Sequence, residues 1–329
     1  MQHRVSAKDV ATLAGVSRAA VSRTFGKGHV SAAIRARVIA AANQLGYRPN
    51  AIARSLIGGR TGLIAVIIID NDSIHNGLLI SKLISEITLL GKRALVISAT
   101  GDDDIDQSAL DAFDYQVDAV VVVGGTVSRQ IVDQIGGVGV PLFLYERRVQ
   151  GTAAECVTCD NLHGGEIAAR YLVRCGRERI AYLTKPRQTF SNTQRRQGFV
   201  SELGSAGLAL HGEAHGAQSF AGGYEAGLEL MSSAPPPDAI FCFNDEMALG
   251  ALQAARAMKL EVPGDVAIIG FDNIPMSAWP VFGLTTIANP VDLPVETLIS
   301  RISARLDGAP ARSEPHVIRP SLVVRRTTP

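Results

Sequence analysis

Most of the chain alternates between short apolar runs rich in β-branched residues and longer stretches with helical spacing. The apolar runs lie at residues 63–69, 94–97, 119–123, 141–144, 180–183, 239–243 and 266–269. They are separated by amphipathic stretches, among them residues 78–90, 164–175 and 246–258. Continuous apolar strands with intervening helices predict parallel sheets that are covered by helices on both faces. The alternation is too long for one compact sheet and therefore predicts two lobes.

The first sixty residues show a different pattern, in which short helical stretches are bounded by serine and glycine. Ser6, Ser17 and Ser31 each precede a stretch with helical spacing and can cap it through the side-chain oxygen. Gly15 suits a tight turn after the first helix, and Gly46 is placed to end the third. The pattern predicts a small all-α head in front of the α/β body.

Charge separates the same two regions. Residues 1–60 hold ten Lys and Arg against one acidic residue, Asp9, which is a charge of +9, whereas the other residues hold 22 basic and 30 acidic side chains, or −8. A basic head on an acidic body indicates a polyanion-binding module joined to a second function. A solvated basic surface with no partner is the alternative.

Composition and the lengths of the apolar segments indicate in which cellular compartment the protein is expected. The chain has 329 residues, 47% of them apolar, which is enough for buried cores. No apolar run approaches the roughly 18 residues of a membrane helix, and the first residues lack the apolar core of a signal peptide. Four cysteines cannot form a dense disulfide framework, which indicates a reducing environment. We therefore expect a cytoplasmic protein with no membrane partner.

Two short helices joined through Gly15 fit a helix-turn-helix, whose second helix enters the major groove of DNA. Arg18 and Arg23 on that second helix are candidates for base contacts, because the guanidinium fork matches the O6 and N7 atoms of guanine. Serine hydroxyls at helix starts or on the same face suit phosphates. The further candidates for DNA contact in the head are Ser6, Ser17, Ala19, Ser22, His29, Ser31 and Tyr47.

The residues now show a resemblance to a known family. The segments KDVATLAGVSRAAVSRTF and VSAAIRARVIAAANQLGYRPNAIARSL strongly resemble the head of lactose-repressor (LacI/GalR) family transcription regulators. Later segments extend it through the body, among them DNLHGGEIAARYL, RRQGF, FNDEMALGAL, VPGDVAIIGFDN and LTTI. The resemblance implies a helix-turn-helix domain over residues 1–48, a hinge over 49–60 and an effector-binding and dimerisation domain over 61–329.

The resemblance also implies a hinge helix that forms on operator DNA. Asn50 can cap it, and Ala53 and Leu56, three residues apart, share a face. Leu56 would then wedge into the minor groove beside its counterpart from a second subunit. Two departures leave the operator sequence open: Ala20 stands where the family commonly has Thr, and residues 24–26 read Thr-Phe-Gly instead of Val-Leu-Asn.

For the body, the resemblance implies a periplasmic-binding-protein-like fold of two lobes that close on a small ligand. Lobe one would comprise residues 61–160 and 290–319, and lobe two residues 161–289 and 320–329. Open α/β sheets bind ligands at the carboxyl ends of their strands, and these ends are rich in polar side chains. The candidate effector-binding residues are Asp70, Ser73, Thr126, Glu146, Arg147, Arg195, Asn244, Asp272, Trp279 and Asn289.

The chemistry of the effector stays open between several classes. Hydrogen-bonding side chains favour a sugar, and Arg147 with Arg195 would suit a sugar acid, with a nucleoside as a third class. The aromatic platform that relatives carry after the first strand is missing, so His75 or Trp279 would have to substitute for it. Asp70 and Asp272 could instead cap helices, Arg195 could form a surface ion pair, and Trp279 could fill a core or an interface.

Enzyme functions find little support in the sequence. G-x-S-x-G, Walker A and H-E-x-x-H motifs are absent. Cys156 and Cys159 form a C-x-x-C in a strand-like run, where their side chains point to opposite faces. We expect no metal or cofactor and a homodimeric, ligand-responsive repressor that binds a palindromic operator. The alternative from another class is a solute-binding protein or sugar-handling enzyme with a vestigial DNA-binding head.

Overall fold

A computed structural model describes residues 5–26, 29–47, 60–69, 73–100, 102–124, 127–147, 149, 151–186 and 189–329. Its contacts divide the chain into two compact units, the helical head and the α/β body, with residues 116–118 grouped with the head. The two units are described separately. None of the helices within these ranges is long and apolar enough to cross a membrane.

The described residues of the head form three helices, and each is capped by a serine. They are α1 (Ala7–Ala14), α2 (Arg18–Phe25) and α3 (Ala32–Leu45). Ser6 and Asp9 form a reciprocal capping box, in which Ser6 N donates to Asp9 Oδ2 at 2.8 Å. Ser17 Oγ accepts from Ala20 N at 3.2 Å, and Ser31 Oγ accepts from Ile34 N at 3.3 Å. The predicted caps are confirmed.

The head has a small core because its three helices are short. Val10, Val21 and Val38, one from each helix, are at most 1% exposed. Gly15 adopts φ +60°, and a Cβ there would lie 2.7 Å from Nη2 of Arg37. Arg37 donates to the carbonyl oxygen of Gly15 at 3.0 Å, so this basic side chain supports the turn between α1 and α2.

The body contains two six-stranded sheets. The first has the strand order β11-β5-β4-β3-β1-β2 and the second β12-β10-β9-β8-β6-β7. The first sheet consists of β1 (Leu63–Ile69), β2 (Arg93–Ala99), β3 (Ala119–Val123), β4 (Leu142–Tyr145), β5 (Glu155–Cys159) and β11 (His316–Ile318). The second consists of β6 (Ile180–Thr184), β7 (Gly212–His215), β8 (Ala239–Cys242), β9 (Ala267–Asp272), β10 (Thr285–Ala288) and β12 (Ser321–Val323).

The strand pairs with a described register are parallel, except for one. Edge strand β12 runs antiparallel to β10, with Ile287 opposite Leu322. The predicted parallel sheets are confirmed, and this antiparallel edge is an addition to them, formed where the chain crosses from β11 of the first sheet to β12 of the second without an intervening helix. The division of strands between the sheets agrees with the predicted lobes, whose exact boundaries stay predictions.

Helices cover both sheets. They are α4 (Ile74–Leu89), α5 (Asp102–Asp114), α6 (Arg129–Gly137), α7 (Asn161–Arg174), α8 (Phe190–Ser205), α9 (Phe220–Met231), α10 (Asp245–Ala257) and α11 (Asp292–Leu306). In lobe one, α4 and α11 pack on β1 and β3 through buried residues such as Leu79, Leu83 and Leu298. In lobe two, α10 packs through Met247 and its neighbours. Both cores leave the carboxyl ends of the strands to the polar residues that follow them.

Candidate functional site

The second helix of the head presents one polar, exposed face. Arg18 and Ser22 are four residues apart on α2, as are Ala19 and Arg23, and all four are exposed. Ser17, at the cap of the same helix, is exposed as well. Arg23 Nε donates to Ala19 O at 3.3 Å, so its guanidinium lies along the helix. This face has the shape and donors that a major-groove contact requires.

The other candidates for DNA contact have different surroundings. Ser6, His29 and Ser31 are exposed, and the hydroxyl oxygens of both serines accept helix-capping hydrogen bonds. Tyr47 is half-buried, with its ring centroid 5.9 Å from that of Phe25. Asn50, Ala53 and Leu56 lie outside the described residues.

The structure partly explains the two departures from the family pattern, which are at Ala20 and at residues 24–26. Ala20 is 6% exposed and Thr24 is 5% exposed, so both positions face the interior of the head. Thr24 Oγ1 donates to Ala20 O at 2.9 Å. Phe25 packs on Tyr47. Substitution at these positions therefore changes the packing behind α2 rather than its exposed face.

In the body, a buried guanidinium forms the centre of a polar network. Arg195, on α8, is 4% exposed and its Cζ lies 3.5 Å from the ring centroid of Phe271. Its Nε donates to Asn161 Oδ1 at 2.8 Å and its Nη1 to Phe243 O at 2.7 Å. Its Nη2 is 3.5 Å from Asp272 Oδ1. Three of the five N–H groups of Arg195 are thus directed at protein acceptors.

From Asp272 the network continues to lobe one. Asn289, just beyond β10, uses Nδ2 to contact Asp272 Oδ1 at 3.3 Å and His75 Nε2 at 3.1 Å. The hydroxyl of Tyr145, at the end of β4, lies 3.3 Å from the same His75 nitrogen. The Asn289 amide Nδ2 can only donate, so Nε2 of a neutral His75 accepts this hydrogen bond, which assigns the ring proton to Nδ1.

A second branch leads from Arg195 to the carboxylate of Glu146. Asn161, whose Oδ1 accepts from Arg195, donates through Nδ2 to Glu146 Oε2 at 2.6 Å. Glu146 Oε1 accepts from Cys159 N at 2.6 Å. The carboxyl ends of β4, β5 and β9 therefore meet in one continuous set of donors and acceptors.

Asn244 adds an unsatisfied donor on the lobe-two side. It is the N-cap of α10, where its Oδ1 accepts from Met247 N at 3.0 Å. The residue is 1% exposed, and its Nδ2 has no hydrogen-bond partner among the described residues. A buried amide donor without a partner is costly, so this position favours a bound acceptor.

Several residues at this place have a positive φ. Of the five described residues other than glycine with a positive φ, three lie at the ends of β4 and β9: Glu146 has φ +59°, Asp272 has φ +109° and Asn273 has φ +56°. Such conformations cost about 1–3 kcal/mol each and cluster at functional sites. The side chains of Glu146 and Asp272 belong to the network, whereas Asn273 Oδ1 accepts from Arg325 Nη2 at 2.7 Å.

Burial shifts the protonation of several groups here. Burial lowers the pKa of His75, and nearby Asp272 only partly opposes this. Burial raises the pKa of Glu146, against the hydrogen bond from Cys159 N. Burial also raises the pKa of the Tyr145 hydroxyl well above its usual value. Burial therefore shifts the pKa of each of these three groups towards its neutral form.

The remaining effector candidates are not all drawn into this network. Trp279 is 52% exposed and stacks on Phe282, so the structure does not bring it to the other site residues. Ser73 is buried as the N-cap of α4. Arg147 follows Glu146 and is half-buried. Asp70 and Thr126 lie outside the described residues.

The predicted set omits three residues that the network contains. His75 was considered only as a replacement for an aromatic platform, and Tyr145 and Asn161 were not selected. The position of Tyr145 and Asn161 at the ends of β4 and β5 is the signal that could have identified them. Within the described part of the chain, no group of three or more His, Cys, Asp or Glu side chains is placed to hold a metal ion.

Together, the head and the body define a class of protein in which a DNA-binding helix-turn-helix precedes a two-lobed small-molecule-binding domain. Comparisons with known proteins agree with that class. The family model for bacterial regulatory proteins of the lacI family matches residues 6–50. The model for a periplasmic binding protein-like domain matches residues 169–328.

Relatives extend this similarity over the chain. The ribose operon repressor of Escherichia coli K12 is 32% identical over 307 residues, covering 90% of this chain and 92% of its own. The regulator GalS of Salmonella typhimurium is 31% identical, covering 87% and 86%. The chain belongs to the LacI family of bacterial regulatory proteins.

Solved structures show the same architecture. The lac repressor dimer bound to operator and the anti-inducer ONPF is similar with a TM-score of 0.88 and 25% identity, covering 99% of both chains. The complex of the regulator CelR with cellobiose is similar with a TM-score of 0.72 and 26% identity, covering 98% of this chain and 100% of its own.

Proposed function

We propose that this protein is a ligand-responsive transcription repressor that binds a palindromic operator as a homodimer in the cytoplasm. The observation that carries the proposal is the polar network between the two lobes, in a chain that also holds an exposed recognition face on α2. The ribose operon repressor and the operator-bound lac repressor support the assignment by similarity.

In this proposal α2 reads bases and the rest of the head contacts phosphates. Arg18 and Arg23 are the base-reading residues. With about six to ten phosphate contacts per dimer, log K should fall with log salt at a slope of roughly −5 to −9. Arg18→Ala should cost about 1–3 kcal/mol and relax specificity at one half-site position.

Binding measurements with a library of half-sites test this assignment. Lys8→Ala is the matched control, because Lys8 is an exposed, positively charged residue on α1 and not on α2. It should weaken all sequences equally, since a phosphate contact carries no sequence information. If Arg18→Ala behaved like Lys8→Ala, Arg18 would be a phosphate contact and the base-reading role would be wrong.

The effector that fits this site best is a neutral polyhydroxyl compound, such as a sugar. The charge of Arg195 is already balanced by Asp272, at 3.5 Å, and Glu146 is close in the same network. A sugar acid would therefore enter without a free counter-charge of its own. The donor on Asn244 and the acceptors of Asp272 match hydroxyl groups, which both donate and accept.

A thermal-shift screen over pentoses, hexoses, disaccharides and aldonic acids tests the effector class. We expect stabilisation by a neutral sugar and its loss in Asp272→Ala. Glu225→Ala is the control, because Glu225 is an exposed carboxylate on α9. Stabilisation by an aldonic acid alone would overturn the neutral class.

The exposed apolar residues on α4 and β2 are proposed to contact a second copy of the chain in a dimer. Ile74 and Leu78, four apart on α4, are 36% and 39% exposed. Val96, on edge strand β2, is 46% exposed. A palindromic operator requires two heads and therefore a two-fold dimer.

Sedimentation velocity tests the dimer. Leu78→Asp should shift the protein towards monomer, because it places a charge in the proposed interface. Val138→Asp is the control: Val138 is 66% exposed and caps the end of a different helix, α6. A monomeric wild type at micromolar concentration, or equal effects of the two variants, would contradict the dimer.

The alternative function is a solute-binding protein or sugar-handling enzyme with a vestigial head. The relatives are named as regulators, and the head retains an exposed polar face on α2. A protein that bound a sugar in the thermal-shift screen but no DNA in a mobility-shift assay would favour this alternative.

A further inference from the structure

A carboxylate of lobe two caps a helix of lobe one. Glu246 lies in the first turn of α10 and is 7% exposed. Its Oε1 accepts from the backbone N–H of Ile74 at 2.7 Å. Ile74 is the first residue of α4, which packs into the core of lobe one. We call this hydrogen bond, which joins Glu246 to Ile74, the interlobe cap.

The interlobe cap is placed where it stabilises the N-terminus of α4. The first N–H groups of a helix lack partners within it, and its N-terminus attracts negative charge. The local cap of α4 is weak, because Asn76 N is 3.5 Å from Ser73 Oγ. The short hydrogen bond that Ile74 N donates to the buried carboxylate of Glu246 therefore supplies the acceptor that the helix itself lacks. Separation of the lobes would break this hydrogen bond and leave Ile74 N without its acceptor and Glu246 without this donor.

Both ends of the interlobe cap adjoin the effector site. Asn244, with its unpartnered amide, precedes Glu246 by two residues at the start of α10. His75, which contacts Asn289 and Tyr145, directly follows Ile74 on α4. Any ligand that moves Asn244 or His75 therefore acts on the two helix ends that the cap joins.

We propose that Glu246 is a positioning residue that holds the two lobes in the observed arrangement and transmits movement at the effector site to α4. The second role, transmission of movement to α4, rests on the proposed function, because it assumes an effector in this site and a dimer contact on α4. The first role, which we call the holding step, does not depend on the proposed function. A hydrogen bond to a charged group should favour the observed arrangement about ten- to hundredfold over its alternatives.

Distance measurements between the lobes in the effector-free, full-length protein test the holding step. Spin labels at Gln130→Cys on α6 and Ser201→Cys on α8 report one distance, and both positions are exposed. Cys175, which is partly exposed, is replaced by Ala, whereas Cys156, Cys159 and Cys242 are buried. Dilution with unlabelled chain restricts the signal to pairs within one molecule.

We expect a single dominant distance in the otherwise unchanged protein. Glu246→Ala should raise the population at other distances about tenfold or more. Glu246→Gln should raise it less, because the amide oxygen still accepts from Ile74 N but without the charge. Glu225→Ala should leave the distribution unchanged, since Glu225 is an exposed carboxylate on α9.

An unchanged distance distribution in Glu246→Ala would overturn the proposal. If that variant does not fold, Glu246→Gln decides: a shifted population supports the interlobe cap, and a distribution equal to that of the unchanged protein rejects it. Neither DNA nor a sugar is present, so the result stands whether or not the proposed function is correct.

Discussion

The head and the polar network of the body hold their candidate functional side chains in opposite ways. On α2, Arg18 and Ser22 are exposed, and their placement follows from a cap at Ser17 within the same segment. In the body, Arg195 and Asp272 are 4% and 7% exposed, and the partners of Arg195 lie 34, 48 and 77 positions away in the chain. The head can therefore change its binding without losing its fold, whereas the effector site cannot.

The largest expected effect is that of Arg195→Ala on stability. The substitution leaves the buried Asp272 without its counter-charge and the carbonyl of Phe243 without its side-chain donor, which should cost about 3–5 kcal/mol of unfolding free energy. Arg196→Ala is the control from the next position, where a half-exposed side chain pairs with Glu213. It should cost about 0–1 kcal/mol. Urea denaturation followed by circular dichroism measures both, and equal losses would show that the network does not stabilise the body.

In the head, Ser17→Ala and Arg18→Ala should separate folding from binding. Loss of the Ser17 cap should cost about 1 kcal/mol of head stability. Arg18→Ala should change stability by less than about 0.5 kcal/mol, because the side chain is exposed. Thermal melting of each variant, compared with its operator affinity, checks the separation. A melting temperature lowered as much by Arg18→Ala as by Ser17→Ala would contradict it.

A further expected effect is a pH dependence of stability that arises from His75. Burial lowers its pKa in the folded protein, so the unfolded chain binds its proton first as the pH falls below about 6.5. Stability should then fall with decreasing pH, by at most about 1.4 kcal/mol per pH unit. His75→Gln, which keeps an acceptor for Asn289, should remove this component from unfolding free energies measured between pH 7 and pH 5.

Glu146 acts with the opposite sign in the same measurement. Its raised pKa makes the folded state bind a proton first, so acidification stabilises the protein through this group. The difference between His75→Gln and the unchanged protein isolates the histidine, because Glu146 is present in both. A pH dependence that is identical in the two proteins would contradict the buried, neutral state of His75.

The contrast also explains what the sequence could predict. The capping box of Ser6 and Asp9 and the caps at Ser17 and Ser31 are local, so the pattern of residues predicted them correctly. The alternation of strands and helices in the body was predicted for the same reason. The antiparallel pairing of β12 was not, because it depends on which strand the chain end meets.

At the effector site, sequence reasoning identified residue types at strand ends but not their partners. Asp272 and Asn289 do lie in one network with Arg195, yet the link through His75 and Tyr145 joins segments that are 70 positions apart. Trp279 has a suitable residue type and position in the sequence, but its ring packs on the surface. Which of these side chains contact one another depends on tertiary contacts, and a local sequence pattern does not predict those.

The central claim is that an exposed DNA-reading face and a buried effector site act in one protein. The most direct test is fluorescence anisotropy of the full chain on a palindromic DNA selected from a random library, with and without the sugar found in the thermal-shift screen. The account predicts that the sugar changes DNA affinity of the unchanged protein, and that Asp272→Ala binds the same DNA within a few-fold but no longer responds. No preference for any sequence, or a normal sugar response in Asp272→Ala, would contradict it.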